Sequence, residues 1–255
     1  MTVQKPIPKI VYKYKGVGPN GQLRKYDREI FEKCELYYAP PNFLNDPFDC
    51  VLPEGRKPTR EEMIEFLNLS SPGGGWEALS DAKLRKNMNP PEVNRSLNEM
   101  FAGAYGVFCV TADVENVLMW SHYGESHKGF AIGLDSSIFE RFGPVVYIKG
   151  TSRLPVAANL SAFEKNLYYK ANFWKYEKEF RSVRENNGTD ESFRRHGIYE
   201  DNFREVVFGL KASEKTKKEL RDIVARERYN RVKFRQIVIG KRGFTLKVED
   251  IEEPP

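Results

Sequence analysis

Two apolar runs near the C-terminus, Val206-Val207-Phe208-Gly209-Leu210 and Gln236-Ile237-Val238-Ile239-Gly240, flank a polar stretch from Ser213 to about Tyr229 that reads as a helix. A helix between two short strands is the connection a crossover needs, so this part of the chain has to belong to a sheet covered by helix. Phe244 to Val248 adds another strand and makes the segment a β-α-β-β unit. No apolar run here or upstream approaches the roughly 18 residues of a membrane-spanning helix, and turn residues close each one. These patterns predict an α+β fold, with a mixed central β-sheet flanked by helices.

Upstream, Ile10 to Tyr14 reads as a strand ended by Gly16-Val17-Gly18-Pro19-Asn20-Gly21, followed by a helix from Asp27 to Lys33. Leu36-Tyr37-Tyr38-Ala39 is a strand stopped by Pro40-Pro41, and Val107–Thr111, Phe130–Asp135 and Val145–Ile148 are further strands. Val114 to Tyr123 reads as a short helix, and Ser161-x-x-Glu164 caps another that carries Phe163 and Leu167. Residues 54–100 form a helical insertion within a single domain spanning 1–255. Thr59-x-x-Glu62 is a capping box at its start, and Ser70-Ser71-Pro72-Gly73-Gly74-Gly75 breaks the first helix.

Three cysteines, Cys34, Cys50 and Cys109, offer neither a disulfide framework nor a C-x-x-C thiolate site. With no apolar leader between Met1 and Lys9, the expected location is the cytoplasm. The overall charge is +5, but Lys211 to Lys247 alone carries +9, which leaves −4 on the remainder. A basic segment of this kind is most often a solvated face; as a function it predicts weak nucleic-acid binding through phosphates.

Three blocks concentrate polar and aromatic residues. The first is Asn42-Phe43-Leu44-Asn45-Asp46-Pro47-Phe48-Asp49, whose Asn-Asp-Pro is sound turn chemistry and whose Asp46 and Asp49 suit a hard cation if further oxygens join them. The second, Leu118 to Gly129, gathers Trp120, Ser121, His122, Tyr123, Glu125 and His127. Its histidines are five apart, the wrong spacing for a zinc helix, and no G-x-S-x-G, P-loop or G-x-G-x-x-G supports other familiar chemistries. The third is Phe173-Trp174-Lys175-Tyr176-Glu177-Lys178-Glu179-Phe180-Arg181. As a strand of period two it places Lys175, Glu177, Glu179 and Arg181 on one face and Trp174, Tyr176 and Phe180 on the other. Its bland alternative is an exposed edge strand with alternating charges.

Taken together, Tyr12-Lys13-Tyr14, Phe43 to Asp49, Met119-Trp120-Ser121-His122-Tyr123 with His127-Lys128-Gly129, and Trp174-x-Tyr176-Glu177-x-Glu179-Phe180-Arg181 resemble a bacterial family catalogued as domain of unknown function 2971. The likeness spans most of the chain outside 54–100. More loosely, Glu177-Lys178-Glu179 is similar to the late E-x-E of the ADP-ribosyltransferase superfamily. The chain departs from that superfamily in lacking a first-strand His or Arg and a central Ser-Thr-Ser.

The second resemblance implies an NAD-using transferase or NAD glycohydrolase, with NAD as substrate, an unspecified acceptor macromolecule, and a role as bacterial toxin or phage-defence effector. It implies that Glu179 stabilises an oxocarbenium-like state and Glu177 orients or deprotonates the acceptor, with His122 as a third catalytic group. Trp120, His122 or Tyr123 would cover the nicotinamide; Tyr12, Tyr14, Asn45, Asp46, His127, Trp174 and Arg181 would complete the nucleotide site. Two alternatives stand beside it. One is a metal-dependent nuclease using Asp46, Asp49, Glu177 and Glu179; the other is a module that binds a nucleotide or peptide without chemistry.

Overall fold

β-Branched and aromatic runs that are apolar on both faces belong inside a sheet covered on both sides, and the chain builds one. The computed structural model describes residues 6–51, 57–86, 89–149, 164, 166–186, 188, 190–225, 229 and 231–251. In chain order its elements are β1 (Ile10–Lys15), α1 (Lys25–Lys33), β2 (Glu35–Tyr37), α2 (Arg60–Ser70), α3 (Asp81–Lys86), α4 (Pro90–Ala104), β3 (Tyr105–Thr111), α5 (Val117–His122) and β4 (Phe130–Asp135). There follow β5 (Phe142–Pro144), β6 (Val146–Ile148), β7 (Tyr169–Ala171), β8 (Glu179–Glu185), β9 (Arg195–Gly197), β10 (Phe203–Phe208), α6 (Glu214–Val224), β11 (Lys233–Ile239) and β12 (Leu246–Asp250).

Eight strands form one mixed sheet in the order β12-β11-β10-β4-β1-β3-β8-β5. The C-terminal unit is as its spacing predicts: β10 and β11 run parallel with α6 crossing between them, and β12 returns antiparallel. On one face α1 and α6 bury Ile30, Phe31, Leu220 and Ile223 against Val11, Phe108, Ile132, Phe180 and Phe203. The other face carries two separate clusters. Val93, Leu97 and Phe101 of α4 pack on Tyr105, Val107 and Val183, while Met119 and Trp120 of α5 pack on Tyr14, Ala131, Val207 and Ile237. The closing helix of the 54–100 stretch is thus part of the core. Its first helix starts with the expected capping box, Thr59 and Glu62 each receiving the other's backbone N–H.

Between those two clusters the sheet forks. β1 shares six residue pairs with β4, and β3 shares seven with β8, but β1 and β3 meet only at Tyr12 and Thr111. Further along β3, Val107 pairs with Ala39 in place of β1. The intervening Cys109 carbonyl is satisfied by the Lys13 ammonium at 3.0 Å, as a buried carbonyl requires. Gly133, opposite Tyr12 on β4, has no side chain because a Cβ there would meet Glu205 Cγ at 2.6 Å. That clearance lets Tyr12 donate to Glu205 at 2.6 Å.

The third block is not the period-two strand its alternation predicts. Asn172–Glu177 is a 3-10 turn, Lys178 is left-handed at φ 47°, and the strand begins at Glu179. The turn wins because its carbonyls have partners outside any sheet. Asn116 Nδ2 donates to the Tyr176 carbonyl at 2.7 Å, and Thr111 Oγ1 donates to that of Glu177 at 2.6 Å. The cap expected at Ser161-x-x-Glu164, with Phe163, lies outside the described residues. The helix expected to reach about Tyr229 ends at Val224 with Ala225 as its cap, and Tyr229 is non-helical core whose hydroxyl donates to the Phe31 carbonyl. Among the described residues no helix is long and apolar enough to cross a membrane.

Candidate functional site

The fork opens into a cavity of about 150 Å³. Its walls come from all three blocks: Leu44, Asn45 and Asp49 from the first, Met119 and Tyr123 from the second, and Glu177 and Glu179 from the third, with Tyr12, Lys13 and Tyr14 of β1 and Lys170 of β7. A hydrogen-bonded chain ties the blocks together. Asn45 Nδ2 donates to Tyr123 Oη at 2.9 Å, and Tyr123 Oη donates to Glu177 Oε1 at 2.5 Å.

Beneath this chain lies an ionic hub. Lys170 Nζ lies 2.6 Å from Glu177, 3.1 Å from Glu179 and 3.6 Å from Asp49. The guanidinium of Arg181 grips Asp49 with two nitrogens, at 2.9 and 2.5 Å, and Glu179 with two, at 2.7 and 3.1 Å. It also donates to the Leu167 carbonyl at 2.7 Å. All five side chains are at most 5% exposed, so their mutual attraction has to offset heavy desolvation.

The two glutamates differ in what they have left to offer. Glu179 receives Arg181 twice and Lys170, which leaves at most one of the roughly four acceptor positions of a carboxylate. Among the described residues the Glu177 side chain receives only Tyr123 and Lys170, so two of its acceptor positions stay open at the wall of the cavity. Their acidities diverge accordingly. Burial would raise the Glu179 carboxyl, but Arg181 and Lys170 outweigh it and hold the group at about 2. Burial raises Glu177 above the usual carboxylate range, and Lys170 offsets that only in part.

A carboxyl whose folded-state pKa lies below its unfolded value stabilises the fold fully above the unfolded pKa and loses that contribution as pH falls through the folded one. For Glu179 the window runs from 4.5 down to about 2, and the loss is expected to be on the order of 3 kcal/mol. Thermal unfolding followed from pH 5 to 2.5 should show the melting temperature dropping through that window. A flat profile, or the same slope in Glu179→Gln, would count against the hub.

Several residues expected at the site stand elsewhere. Trp120 is fully buried core, its indole N–H donating to the Val114 carbonyl at 2.7 Å and its ring edge-on to Tyr14, so it cannot cover a ligand. Instead it stiffens Tyr14, which does line the cavity. His122 is exposed at the end of α5, hydrogen-bonded through Nδ1 to Tyr176 Oη at 2.9 Å, and is not among the lining residues. His127 faces Ser121 at 3.1 Å in a left-handed turn, and burial together with Lys211 lowers its pKa, which favours the neutral ring.

Asp46 folds its own loop by accepting the Phe48 N–H at 2.9 Å. Trp174 packs its ring under Lys170 at 5.1 Å, and Arg181 supports the cavity from behind. Tyr12, Tyr14, Asn45, Tyr123, Glu177 and Glu179 are brought together at the wall of the cavity.

Lys170 is the residue the sequence reading passes over, because a lysine in a three-residue strand shows no periodicity that would mark it as buried. Asp49 and Glu179 do not form the open oxygen cage a metal would need; Arg181 and Lys170 already occupy their inner faces. The basic C-terminal segment is also partly neutralised. Lys217, Lys218, Arg231, Arg235 and Lys247 each pair with an acid, which weakens any phosphate-attracting field. No family model, curated protein or solved structure matches the chain.

Proposed function

We propose that the chain is an enzyme that cleaves the N-glycosidic bond of NAD, releasing nicotinamide and passing ADP-ribose to an acceptor or to water. The observation that carries this reading is Glu177: a buried carboxylate with open acceptor positions, at the wall of a tyrosine-lined cavity sized for one ring. A cavity of about 150 Å³ has room for a benzene-sized ring, which suits the nicotinamide while the rest of the dinucleotide lies outside.

In the reaction the bond between ribose C1′ and the pyridinium nitrogen breaks, and its electron pair goes to the ring, which leaves as neutral nicotinamide. Positive charge develops on the ribose, where Glu177 stabilises it electrostatically in a water-poor site. Tyr123 and Lys170 hold the carboxylate in place. The acceptor then bonds to C1′ and gives up its proton to Glu177. The Glu-x-Glu resemblance supports the same class of chemistry, with the stabilising role moved from Glu179 to Glu177 because Glu179 is neutralised by the Arg181 guanidinium, which bonds both of its oxygens.

The test is nicotinamide release from NAD by the purified chain, with and without EDTA and with cell extract as an acceptor source. Release that survives EDTA is the expected result. No release under any condition would end the reading, and release abolished by EDTA would favour the metal-dependent alternative.

A further inference from the structure

The hub does not balance. Asp49, Glu177 and Glu179 bring three negative charges; Lys170 and Arg181 bring two positive ones, and all five groups are buried together. Lys13 also borders the cavity, but its ammonium lies over the Phe108 ring at 4.9 Å and on the Cys109 carbonyl. Among the described residues it forms no ion pair with any of the three carboxylates. Phe108 belongs to the cluster under α1 and α6, on the opposite face of the sheet from the hub. Burial lowers the Lys13 pKa, by more than the attraction of Glu179 and Asp27 raises it.

Among the described residues one negative charge is therefore uncompensated, and an unpaired buried charge is costly. It resides at Glu177, the member with open acceptor positions and the one that burial makes easiest to protonate. The same cavity is lined by Tyr12, Tyr14 and Tyr123, with Met119. The hydroxyls of all three tyrosines are spent within the protein, on Glu205, Asp113 and Glu177, so what they offer a ligand is ring surface. Aromatic faces around a carboxylate are the means by which proteins hold organic cations.

We infer that this cavity selects a planar organic cation, binding the positively charged pyridinium ring and rejecting a neutral ring of the same shape. The inference rests on the proposed reading for the choice of a pyridinium, but the charge count holds whether or not the protein cleaves NAD. Under that reading it adds a consequence: the ring loses its charge when the bond breaks, so the product is held less well than the substrate and leaves readily.

The experiment compares 1-methylnicotinamide, a cation, with nicotinamide, its neutral counterpart, by calorimetry or ligand-observed NMR on the full chain. The cation is expected to bind at least tenfold more tightly, and Glu177→Gln, which keeps shape but removes the charge, is expected to erase the difference by weakening the cation alone. The wild-type comparison needs no variant, so a folding defect in Glu177→Gln does not blunt the test. Equal affinities, tighter binding of the neutral ring, or no binding of either at millimolar concentration would overturn the inference. So would Mg²⁺ that displaces 1-methylnicotinamide at submillimolar concentration, because an inorganic ion would then be the missing charge. Absence of nicotinamide release from NAD, with cation selectivity intact, would instead reject the catalytic reading and leave this one standing.

Discussion

Arg181→Ala should lose about 3–5 kcal/mol of stability, the range typical when one partner of a buried ion pair is removed. The guanidinium is fully buried and serves Asp49, Glu179 and the Leu167 carbonyl at once, so its loss leaves two carboxylates facing each other with only Lys170 between them. Set against a total stability of roughly 5–15 kcal/mol for a domain, that loss should leave the variant marginal at room temperature. Arg181→Lys should recover only part of it, because a point charge cannot reproduce two paired bonds to each of two carboxylates. Urea denaturation of the three proteins measures both effects. An alanine variant with the wild-type midpoint would mean that the hub contributes nothing to the fold.

The second large effect separates the two glutamates. Glu177→Gln should lower nicotinamide release by roughly 10²- to 10³-fold, the loss seen when one electrostatic stabiliser is removed. The fold should survive, since the substitution takes away the uncompensated charge and leaves two carboxylates with two cations. Glu179→Gln should do the reverse and chiefly destabilise: its amide NH₂ would have to face Arg181 or Lys170, both of them donors to the native carboxylate. Melting temperature and initial rate per folded molecule, measured on both variants, decide the matter. If Glu179→Gln were as stable as wild type but inactive, the roles assigned here would have to be exchanged.

Most of the sheet was legible because its strands are short apolar runs punctuated by turn residues, and the parallel pair β10–β11 followed from a helix-length gap alone. The three blocks were legible as a group, since Asn45, Tyr123 and Glu177 do meet. Their local shape was not. From Lys175 to Arg181 the residues alternate as a strand would, yet contacts from Asn116 and Thr111, some sixty residues upstream, bend the first half into a 3-10 turn. Local alternation cannot report a partner so distant in sequence. Trp120 misled for another reason: an aromatic beside His122 and Tyr123 looks like site chemistry, but one helical turn directs it into the core and leaves Tyr123 at the wall.

The single contact between β1 and β3 bears on mechanics. A sheet resists shear through its ladder of hydrogen bonds; here the ladder on either side is long, and the seam between the halves is one residue pair and one lysine. The strands thus fall into two ladders joined at Tyr12, Thr111 and Lys13, with Tyr12 and Tyr14 on one and Glu179 and Cys109 on the other, while the core under α1 and α6 runs beneath both. A guest lodged in the seam touches both ladders, so its grip depends on how that shared core holds the two against each other.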